Sequence, residues 1–505
     1  MMGPVVETWA GRLRGEALGA VLRFRGIPYG SPVAGEARFR PAAPAAPWAG
    51  VRDALELGPA CPQNRNATMG LFALPQIQAL VGPAITVSQP MDENCLALNV
   101  WTPAAAPKSG GRPVMVWLHG GGWFAGSSGS APYDGERLAE AGDVVVVSLN
   151  HRINVFGFLD LSQIAGDDYR ASGAVGLTDI VLALEWVGAN IAAFGGDPGN
   201  VTLFGESGGG AKVSVLSSMP SAQGLFHKAI VQSGSALSVH TPEAGAALAQ
   251  RLLAAAGLDR GGWRGLLTMT ASELVAACTA DPALAALAPV ADGQTIPHAD
   301  LLAAPPIDAG AKPMIVGTTR DEARLLLAAD EAAFTTDAEG LRTRIARLTG
   351  RTPEAADRLI GAYAALDPVA TAPELLFAIT TDIAMRNNAV RQADYRVAAG
   401  GAVYMYRFDW RSPLFEGKYG AVHGIDIPFV FAQPDSLGAV GPDPSRHGLA
   451  DAVSGAWARF AWTGDPNHPG LADWQRYDPQ RRWTMLFDKT CGAVAAGPIV
   501  EPLDG

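Results

Sequence analysis

The amino-acid sequence predicts an α/β protein built on a large, mostly parallel central sheet with helices on its faces. The first observation is a series of short apolar runs, most of which end in glycine or another small residue. The second is the helical spacing of residues 177–193, which separate two of these runs. Continuous apolar runs of about four to six residues are typical of strands buried on both faces, as in a parallel sheet. Strands that alternate with helices in this way indicate the α/β class.

The apolar runs give the predicted strands in chain order. They lie at residues 114–118, 144–149, 201–204, 229–231, 314–316, 403–408 and 483–487. Ala, Leu, Arg and Glu at helical spacing dominate the regions of about 242–290 and 330–396, where we expect helical insertions packed over the sheet. Because the chain has strands on both sides of these insertions, we expect one elaborated domain over residues 1–505.

Composition and charge exclude several classes of protein. The 505 residues carry a formal net charge of −11, which disfavours binding to nucleic acid. No run of eighteen apolar residues is free of charges or helix breakers, so we expect no membrane span. Residues 1–15 lack a basic segment followed by an apolar one, so no signal peptide is visible. We therefore expect either a cytoplasmic protein or a secreted one whose leader has been removed. The four cysteines fit no metal-binding or redox spacing.

The strongest local motif is GESGG at residues 205–209, directly after the predicted strand 201–204. It fits the pattern G-x-S-x-G, in which a sharp strand-to-helix turn exposes a nucleophilic serine. Glycines two residues before and after the serine remove side chains that would collide in this turn. By itself the pattern also describes a glycine-rich turn with an incidental serine. The preceding strand and the helix-compatible residues that follow favour Ser207 as a nucleophile.

A second motif, HGGGW at residues 119–123, follows the predicted strand 114–118 and lies upstream of the serine. Three glycines let the backbone approach a substrate closely, so that N–H groups can point at one oxygen atom. An oxyanion hole requires such groups, together with the N–H of the residue after the nucleophile, Gly208. A flexible loop would show the same glycines. The order of the two motifs along the chain favours an oxyanion hole.

A catalytic serine needs a base and an acid that orients the base, in the chain order serine, acid, histidine. The predicted strand 314–316 leads to two adjacent candidates for the acid, Asp321 and Glu322, between which the local pattern does not decide. If this segment is extended, their side chains point to opposite sides. His423 is a candidate base because it lies in a loop of small residues after the strand 403–408. The other histidines after the serine are His227, His240, His298, His447 and His468.

With these motifs the chain resembles the type-B carboxylesterases, a family that includes bacterial para-nitrobenzyl esterases, mammalian liver carboxylesterases and cholinesterases. The resemblance runs from residue 11 to about residue 488. Besides the two glycine motifs, it rests on FRGIPY at 24–29, RFR at 38–40, DENCL at 92–96, NHR at 150–152, FGGDP at 194–198, QSGS at 232–235, HG at 423–424, PFVF at 428–431 and TGDPN at 463–467.

The resemblance implies an α/β-hydrolase fold and an esterase that needs neither a metal nor an organic cofactor. Its partner would be a small-molecule ester. The implied catalytic residues are Ser207, Glu322 and His423, and the implied oxyanion hole is formed by Gly121, Gly122 and Gly208. The resemblance also places Cys61 and Cys95 at the family's first disulfide, which forms only in an oxidising compartment.

The departures from the family pattern concern the substrate. No tryptophan lies between Cys61 and Cys95, and Glu322 is followed by Ala-Arg-Leu-Leu where cholinesterases have paired phenylalanines. A quaternary ammonium group needs an aromatic face, so a cholinesterase is disfavoured. We expect uncharged esters and an aliphatic substrate pocket. Its candidate residues are Leu284, Leu287, Leu325 and Leu326.

Two alternatives to an ester hydrolase remain at this stage. The same residues could act on carbamate, amide, thioester or lactone bonds, because the acyl-enzyme step is shared. Some relatives of the family are adhesion or scaffold proteins that have lost the nucleophile. The intact set of Ser207, Glu322, His423 and the three glycines argues against this second alternative.

Overall fold

A computed structural model of the chain describes residues 3–64, 74–107, 110–304 and 312–496. Most of the described strands belong to one sheet of eleven strands, and three more form a small separate sheet. The strands are β1 Val5–Thr8, β2 Gly11–Arg14, β3 Glu16–Leu18, β4 Val21–Pro28, β5 Val51–Asp53, β6 Ala97–Pro103, β7 Arg112–Leu118, β8 Val145–Leu149, β9 Gly196–Glu206, β10 Lys228–Gln232, β11 Met314–Thr319, β12 Val403–Phe408, β13 Trp483–Phe487 and β14 Gly492–Ala495.

The large sheet has the spatial order β14-β13-β12-β11-β10-β9-β7-β8-β6-β4-β3. All neighbours from β8 to β13 in this order are parallel, whereas β14 at one edge and β6, β4 and β3 at the other are antiparallel. The small sheet has the order β1-β2-β5. Each strand predicted from an apolar run is present, and the predicted α/β class with its mostly parallel sheet is confirmed.

Helices cover both faces of the sheet and fill the two predicted insertions. They are α1 Pro75–Ile85, α2 Glu136–Gly142, α3 Asn154–Phe158, α4 Ser162–Ala165, α5 Val175–Asn190, α6 Gly208–Leu216, α7 Pro242–Ala255, α8 Gly265–Thr268, α9 Ala271–Ala280, α10 Glu322–Leu326, α11 Ala338–Thr349, α12 Pro353–Leu366, α13 Ala372–Thr381, α14 Asn387–Ala398, α15 Ile427–Val430 and α16 Ser445–Thr463, with a π-helical turn at Asp382–Arg386. Helices therefore lie within both regions, 242–290 and 330–396.

The helix α5 belongs to the core. It lies within the segment Asp167–Phe194, which is long and apolar enough to cross a membrane by length and composition alone. In the structure, 67% of the most apolar part of this segment is buried against the rest of the protein. Its apolar side chains, including Leu177, Ile180 and Leu184, pack in the larger core cluster beneath the sheet. The packing accounts for the apolar composition of this segment.

The parallel strands bring the candidate site residues to one edge of the sheet. The carboxyl ends of neighbouring parallel strands meet at the same edge, which is where open α/β sheets bind their ligands. The strand β7 ends at Leu118 before the HGGGW motif, and β9 ends at Glu206 before the serine. The strand β11 ends three residues before Glu322, and β12 leads into the loop that carries His423.

Candidate active site

Ser207 lies at the sharp turn between β9 and α6. Its backbone has φ 56° and ψ −123°, a combination that L-residues rarely adopt and that costs about 1–3 kcal/mol. The Ser207 N–H donates to the carbonyl oxygen of Gln232 on β10 at 2.8 Å, which helps to hold the turn in place. A strained serine between a strand and a helix is the geometry expected of a nucleophile elbow. The predicted environment of Ser207 is thus present.

The glycines around Ser207 are required by close packing. A Cβ on Gly209 would lie 2.0 Å from the carbonyl oxygen of Leu118, at the end of β7. A Cβ on Gly208 would lie 2.3 Å from the oxygen and 2.5 Å from the nitrogen of Gly122. All three distances are well inside van der Waals contact, so these positions admit no side chain without rearrangement. The same contacts show that the elbow touches the loop after β7.

We call residues 119–122 the glycine loop. Gly121 and Gly122 have φ values of 90° and 60°, in the region that favours glycine. Within the described residues, the N–H groups of Gly121, Gly122 and Gly208 donate no hydrogen bond to another main-chain or side-chain atom. A Cβ on Gly120 would lie 3.5 Å from Cβ of Ser207. Free N–H groups beside the serine can stabilise an oxyanion that forms there.

Glu322 is fully buried and is held by three hydrogen bonds. Its Oε1 accepts from the hydroxyl of Ser233 at 2.5 Å and from the backbone N–H of Thr319 at 2.8 Å. Its Oε2 lies 2.5 Å from Nδ1 of His423. These contacts fix the carboxylate and orient the imidazole, so that Nε2 of His423 is left for chemistry. This is the arrangement that a catalytic acid and base require.

Asp321, the other candidate acid, faces away from the imidazole. Its side chain forms an ion pair with Arg324 at 3.2 Å and accepts a hydrogen bond from the Ala421 N–H at 2.9 Å. The expectation that this segment is extended is wrong, because α10 begins at Glu322 and Asp321 immediately precedes its first turn. The two carboxylates nevertheless point in different directions, since Asp321 turns back towards the loop that carries His423.

The imidazole of His423 also contacts Glu206, the residue before the serine. Nε2 of His423 lies 3.2 Å from Oε1 of Glu206. The contact lacks hydrogen-bond geometry, and this buried oxygen has no hydrogen-bond partner within the described residues. The Ser207 hydroxyl likewise makes no hydrogen bond within the described part of the chain. Catalytic hydrogen bonds in unliganded enzymes are often long and tighten only when the substrate binds.

Three buried carboxyl groups, Glu206, Glu322 and Asp426, surround His423. Burial, with added repulsion from Asp426 and Glu322, raises the pKa of Glu206 to about 8. Burial also raises the pKa of Asp426, which accepts hydrogen bonds from Gln232 and Tyr406. Burial alone would lower the pKa of His423, but the negative charges of Glu206 and Glu322 outweigh it and raise this pKa. The imidazole of His423 therefore holds its proton more tightly in this cluster than a histidine does in water.

The four leucines predicted to line the substrate pocket do not lie together. Leu284 and Leu287 are buried in the larger core cluster, Leu325 is buried in a second cluster, and Leu326 is exposed. Leu325 and Leu326 are neighbours on the short helix α10, and adjacent residues on a helix point about 100° apart. The closeness of Leu325 and Leu326 to Glu322 in the sequence therefore did not show that both line one substrate pocket.

Cys61 and Cys95 are buried free thiols that adjoin each other in the core. A hydrogen bond with Cys61, together with burial, raises the pKa of the Cys95 thiol well above its usual value. The two positions are thus close, as the resemblance implies, but no disulfide bond joins them.

Among the described residues, no group of three or more His, Cys, Asp or Glu side chains could hold a metal ion.

Sequence reasoning missed Glu206, Ser233 and Asp426 as parts of the site. Glu206 lies inside the GESGG motif, so its place beside the serine could have been noticed. Ser233 lies inside the QSGS motif, but its partner Glu322 lies 89 residues away, so their bond forms only through the fold. Asp426 likewise lies 194 residues from its partner Gln232.

A serine at a strained elbow, an adjacent glycine loop and a buried glutamate–histidine pair lie at the carboxyl edge of a mostly parallel sheet. Together they define an enzyme of the serine-hydrolase class with the α/β-hydrolase fold. The family model described as the carboxylesterase family matches residues 2–496. The chain belongs to the carboxylesterase family.

Similar proteins support the same assignment. Para-nitrobenzyl esterase from Bacillus subtilis (strain 168) is 34% identical over 501 residues, which cover 97% of this chain and 95% of that protein. Phenmedipham hydrolase from Pseudarthrobacter oxydans is 35% identical over 520 residues, or 99% of this chain and 98% of that protein. The crystal structure of a Geobacillus stearothermophilus carboxylesterase matches with a TM-score of 0.83 and 37% identity, covering 97% of this chain and 98% of that one. The protein is therefore a serine carboxylesterase, and the prediction of an enzyme is confirmed.

Proposed function

We propose that the protein hydrolyses small uncharged carboxylic esters through a Ser207–His423–Glu322 triad and a covalent acyl-enzyme. The observation that carries this proposal is the buried Glu322 carboxylate, 2.5 Å from Nδ1 of His423 and fixed by two further hydrogen bonds. A carboxylate in this position holds the imidazole tautomer and stabilises the imidazolium that forms during proton transfer.

In the first half of the reaction, Oγ of Ser207 attacks the ester carbonyl carbon while Nε2 of His423 takes the hydroxyl proton. The negative charge that develops on the carbonyl oxygen is stabilised by the free N–H groups of Gly121, Gly122 and Gly208. The tetrahedral intermediate then expels the alcohol, which takes the proton from His423. The products of this half are the free alcohol and an ester between the acyl group and Ser207.

In the second half, a water molecule gives a proton to Nε2 of His423 and attacks the acyl carbon. The second tetrahedral intermediate breaks its bond to Oγ of Ser207, which takes the proton back. The acid is released and the enzyme returns to its starting state. In both halves the Glu322 carboxylate stays ionised and steadies the imidazolium.

The preference for uncharged esters rests on the aromatic residues that the chain lacks at two positions. No tryptophan lies between Cys61 and Cys95, and no paired phenylalanines follow Glu322. A quaternary ammonium group gains most from such rings. A second candidate substrate is phenmedipham, because a 35% identical relative is named for its hydrolysis.

This proposal predicts how the enzyme responds to substrate charge. Acetylthiocholine and its uncharged carbon isostere, the 3,3-dimethylbutyl thioester of acetic acid, have the same shape and acyl group. We expect kcat/KM to be at least about tenfold higher for the uncharged thioester, because the chain lacks aromatic residues at the positions that cholinesterases use, and the ammonium group would lose hydration without that compensation. The measurement is thiol release by both substrates under identical conditions, with phenmedipham assayed alongside. Faster turnover of acetylthiocholine would contradict the proposed substrate class.

The buried carboxyl groups around His423 predict how kcat/KM depends on pH. His423 must be neutral to accept the serine proton, so a raised pKa moves the acid limb of kcat/KM to higher pH. We expect its midpoint above the usual histidine value of about 6.5. Replacement of Glu206 by Gln removes one source of negative charge and should move the midpoint to lower pH by at least about half a unit. The same midpoint in the variant and the wild type would show that Glu206 does not set the protonation of the base.

A further inference from the structure

Lys212 is a buried lysine close to the proposed oxyanion hole. It lies on α6, five residues after the serine, and its side chain has no exposed surface. Lysine is rarely buried in this way unless its ammonium group is paired. Within the described residues Lys212 forms no ion pair with a carboxylate. The proposed reaction does not use it, so its position calls for another explanation.

The ammonium group of Lys212 is bonded to the glycine loop. Its Nζ donates to the carbonyl oxygen of His119 at 2.9 Å. This carbonyl belongs to the peptide unit that joins His119 to Gly120, at the start of the glycine loop. A charge-assisted hydrogen bond is about twice as strong as a neutral one. Lys212 thus ties helix α6, which begins directly after the serine, to the loop that supplies the oxyanion donors.

The groups that face Lys212 from neighbouring elements are basic or aromatic. The imidazoles of His119 and His151 stack with their centroids 5.0 Å apart, and the Trp123 ring centroid lies 6.0 Å from Nζ. Burial, with added repulsion from Lys212, lowers the pKa of both histidines well below the usual value. Nδ1 of each histidine lies 2.8 Å from a neighbouring backbone carbonyl, as suits neutral rings. Of these three basic side chains, only Lys212 is placed to carry charge.

We propose that Lys212 is a positioning residue for the oxyanion hole, whose ammonium group fixes the glycine loop through the His119 carbonyl. The loop has no side chains of its own at residues 120–122 with which to anchor itself, and two of these glycines have positive φ. A bond to its first peptide restricts where the following N–H groups point. The inference rests on the proposed function, because it assigns those N–H groups to the oxyanion.

The position of Lys212 carries a cost in stability. A buried ammonium group without a counter-ion is unfavourable, and burial lowers the pKa of Lys212 to about 7. This pKa lies below that of an unfolded lysine, about 10.4. Burial of Lys212 therefore lowers the free energy of unfolding by its full amount below pH 7, and this loss becomes smaller as the pH rises towards 10. A residue retained only for stability would be expected to have the opposite effect. Lys212 is therefore better explained by what it does for the loop.

The test replaces Lys212 by Met, which keeps the length of the side chain and removes the donor. We expect kcat to fall about 10- to 100-fold with KM within about threefold, because an imprecise oxyanion hole weakens binding of the transition state more than binding of the substrate. The Ki of a trifluoromethyl ketone, which forms a tetrahedral adduct with the serine, should rise as kcat/KM falls. The melting temperature should rise, and by more at about pH 6 than at about pH 9.

Lys228→Met is the matched control. Lys228 is a partly buried lysine on β10 that bonds to Asn200 and not to the glycine loop. Its replacement should leave both kcat and the Ki of the ketone within about twofold of the wild type. Lys212→Leu is measured beside Lys212→Met, and either folded variant decides the question. If neither folds, Lys212 is a structural residue and the proposal is overturned.

A folded Lys212 variant with wild-type kcat and wild-type Ki would also overturn the proposal. Ser207→Ala is assayed in the same series to separate this inference from the proposed function. If Ser207→Ala is inactive while Lys212→Met is normal, only the role of Lys212 is wrong. If Ser207→Ala keeps its activity, the proposed function fails, whatever Lys212 does.

Discussion

Replacement of Ser207 by alanine is expected to lower kcat roughly 10⁴- to 10⁶-fold, because the members of a triad act as a unit. The effect should fall on kcat, since Ser207 Oγ is the atom that bonds to the acyl carbon. The fold should be retained, because the hydroxyl makes no hydrogen bond within the described residues. The measurement is steady-state hydrolysis of a short para-nitrophenyl ester, with a thermal melt to confirm folding.

Ser217→Ala is the control for this substitution. Ser217 follows α6, and its hydroxyl donates to the Val213 carbonyl one turn earlier. Its loss should leave kcat within about twofold of the wild type. A purified, folded Ser207→Ala protein that keeps a tenth of the wild-type activity would rule out Ser207 as the nucleophile.

Replacement of Glu322 by glutamine is expected to lower kcat at least about 10²-fold, with a smaller effect on KM. The amide cannot stabilise the imidazolium, and an amide N–H turned towards Nδ1 of His423 would favour the wrong tautomer. The loss should be smaller than for Ser207→Ala, because the oxyanion donors and substrate binding remain. The measurement is again kcat and KM on one para-nitrophenyl ester.

Asp321→Asn provides the matched comparison, since it makes the same chemical change at the adjacent position. Asp321 pairs with Arg324 and bonds to the Ala421 N–H, so it supports the histidine loop without touching the imidazole. Its kcat should stay within about tenfold of the wild type. If Asp321→Asn has a much lower kcat while Glu322→Gln is nearly normal, then Asp321, and not Glu322, is the catalytic acid.

The central strands could be predicted from sequence because a strand buried on both faces consists mostly of consecutive apolar residues. The strands β12 and β13 have the predicted bounds, 403–408 and 483–487, because each run contains a single polar residue, Arg407 or Thr484, among apolar ones. The antiparallel strand β6 was missed because it contains Asn99 and Thr102. Both are buried because their side chains are satisfied by hydrogen bonds, Asn99 to Ser128 and Ser148 and Thr102 to the Phe194 carbonyl. A buried polar residue with distant partners looks like an exposed one in the sequence.

The active site likewise has parts that the sequence could predict and parts that depend on distant residues. The elbow and the glycine loop depend on glycines close to the functional atoms, so a short motif predicts them. The choice between Asp321 and Glu322 depended on where α10 begins, which the local pattern did not indicate. The protonation of His423 depends on three carboxyl groups from separate parts of the chain, at residues 206, 322 and 426. Their joint effect on its pKa appears only when the fold brings them together.

The proposed function requires that Ser207 become covalently acylated, and an organophosphate captures the serine at that step. Diethyl para-nitrophenyl phosphate should transfer its diethylphosphoryl group to Oγ of Ser207 with release of para-nitrophenolate. The decisive measurement is a peptide map of the inhibited protein by mass spectrometry. We expect one adduct, on Ser207, whose occupancy rises in step with the loss of esterase activity and which is absent from Ser207→Ala. Complete inhibition with Ser207 unmodified would contradict the proposed nucleophile.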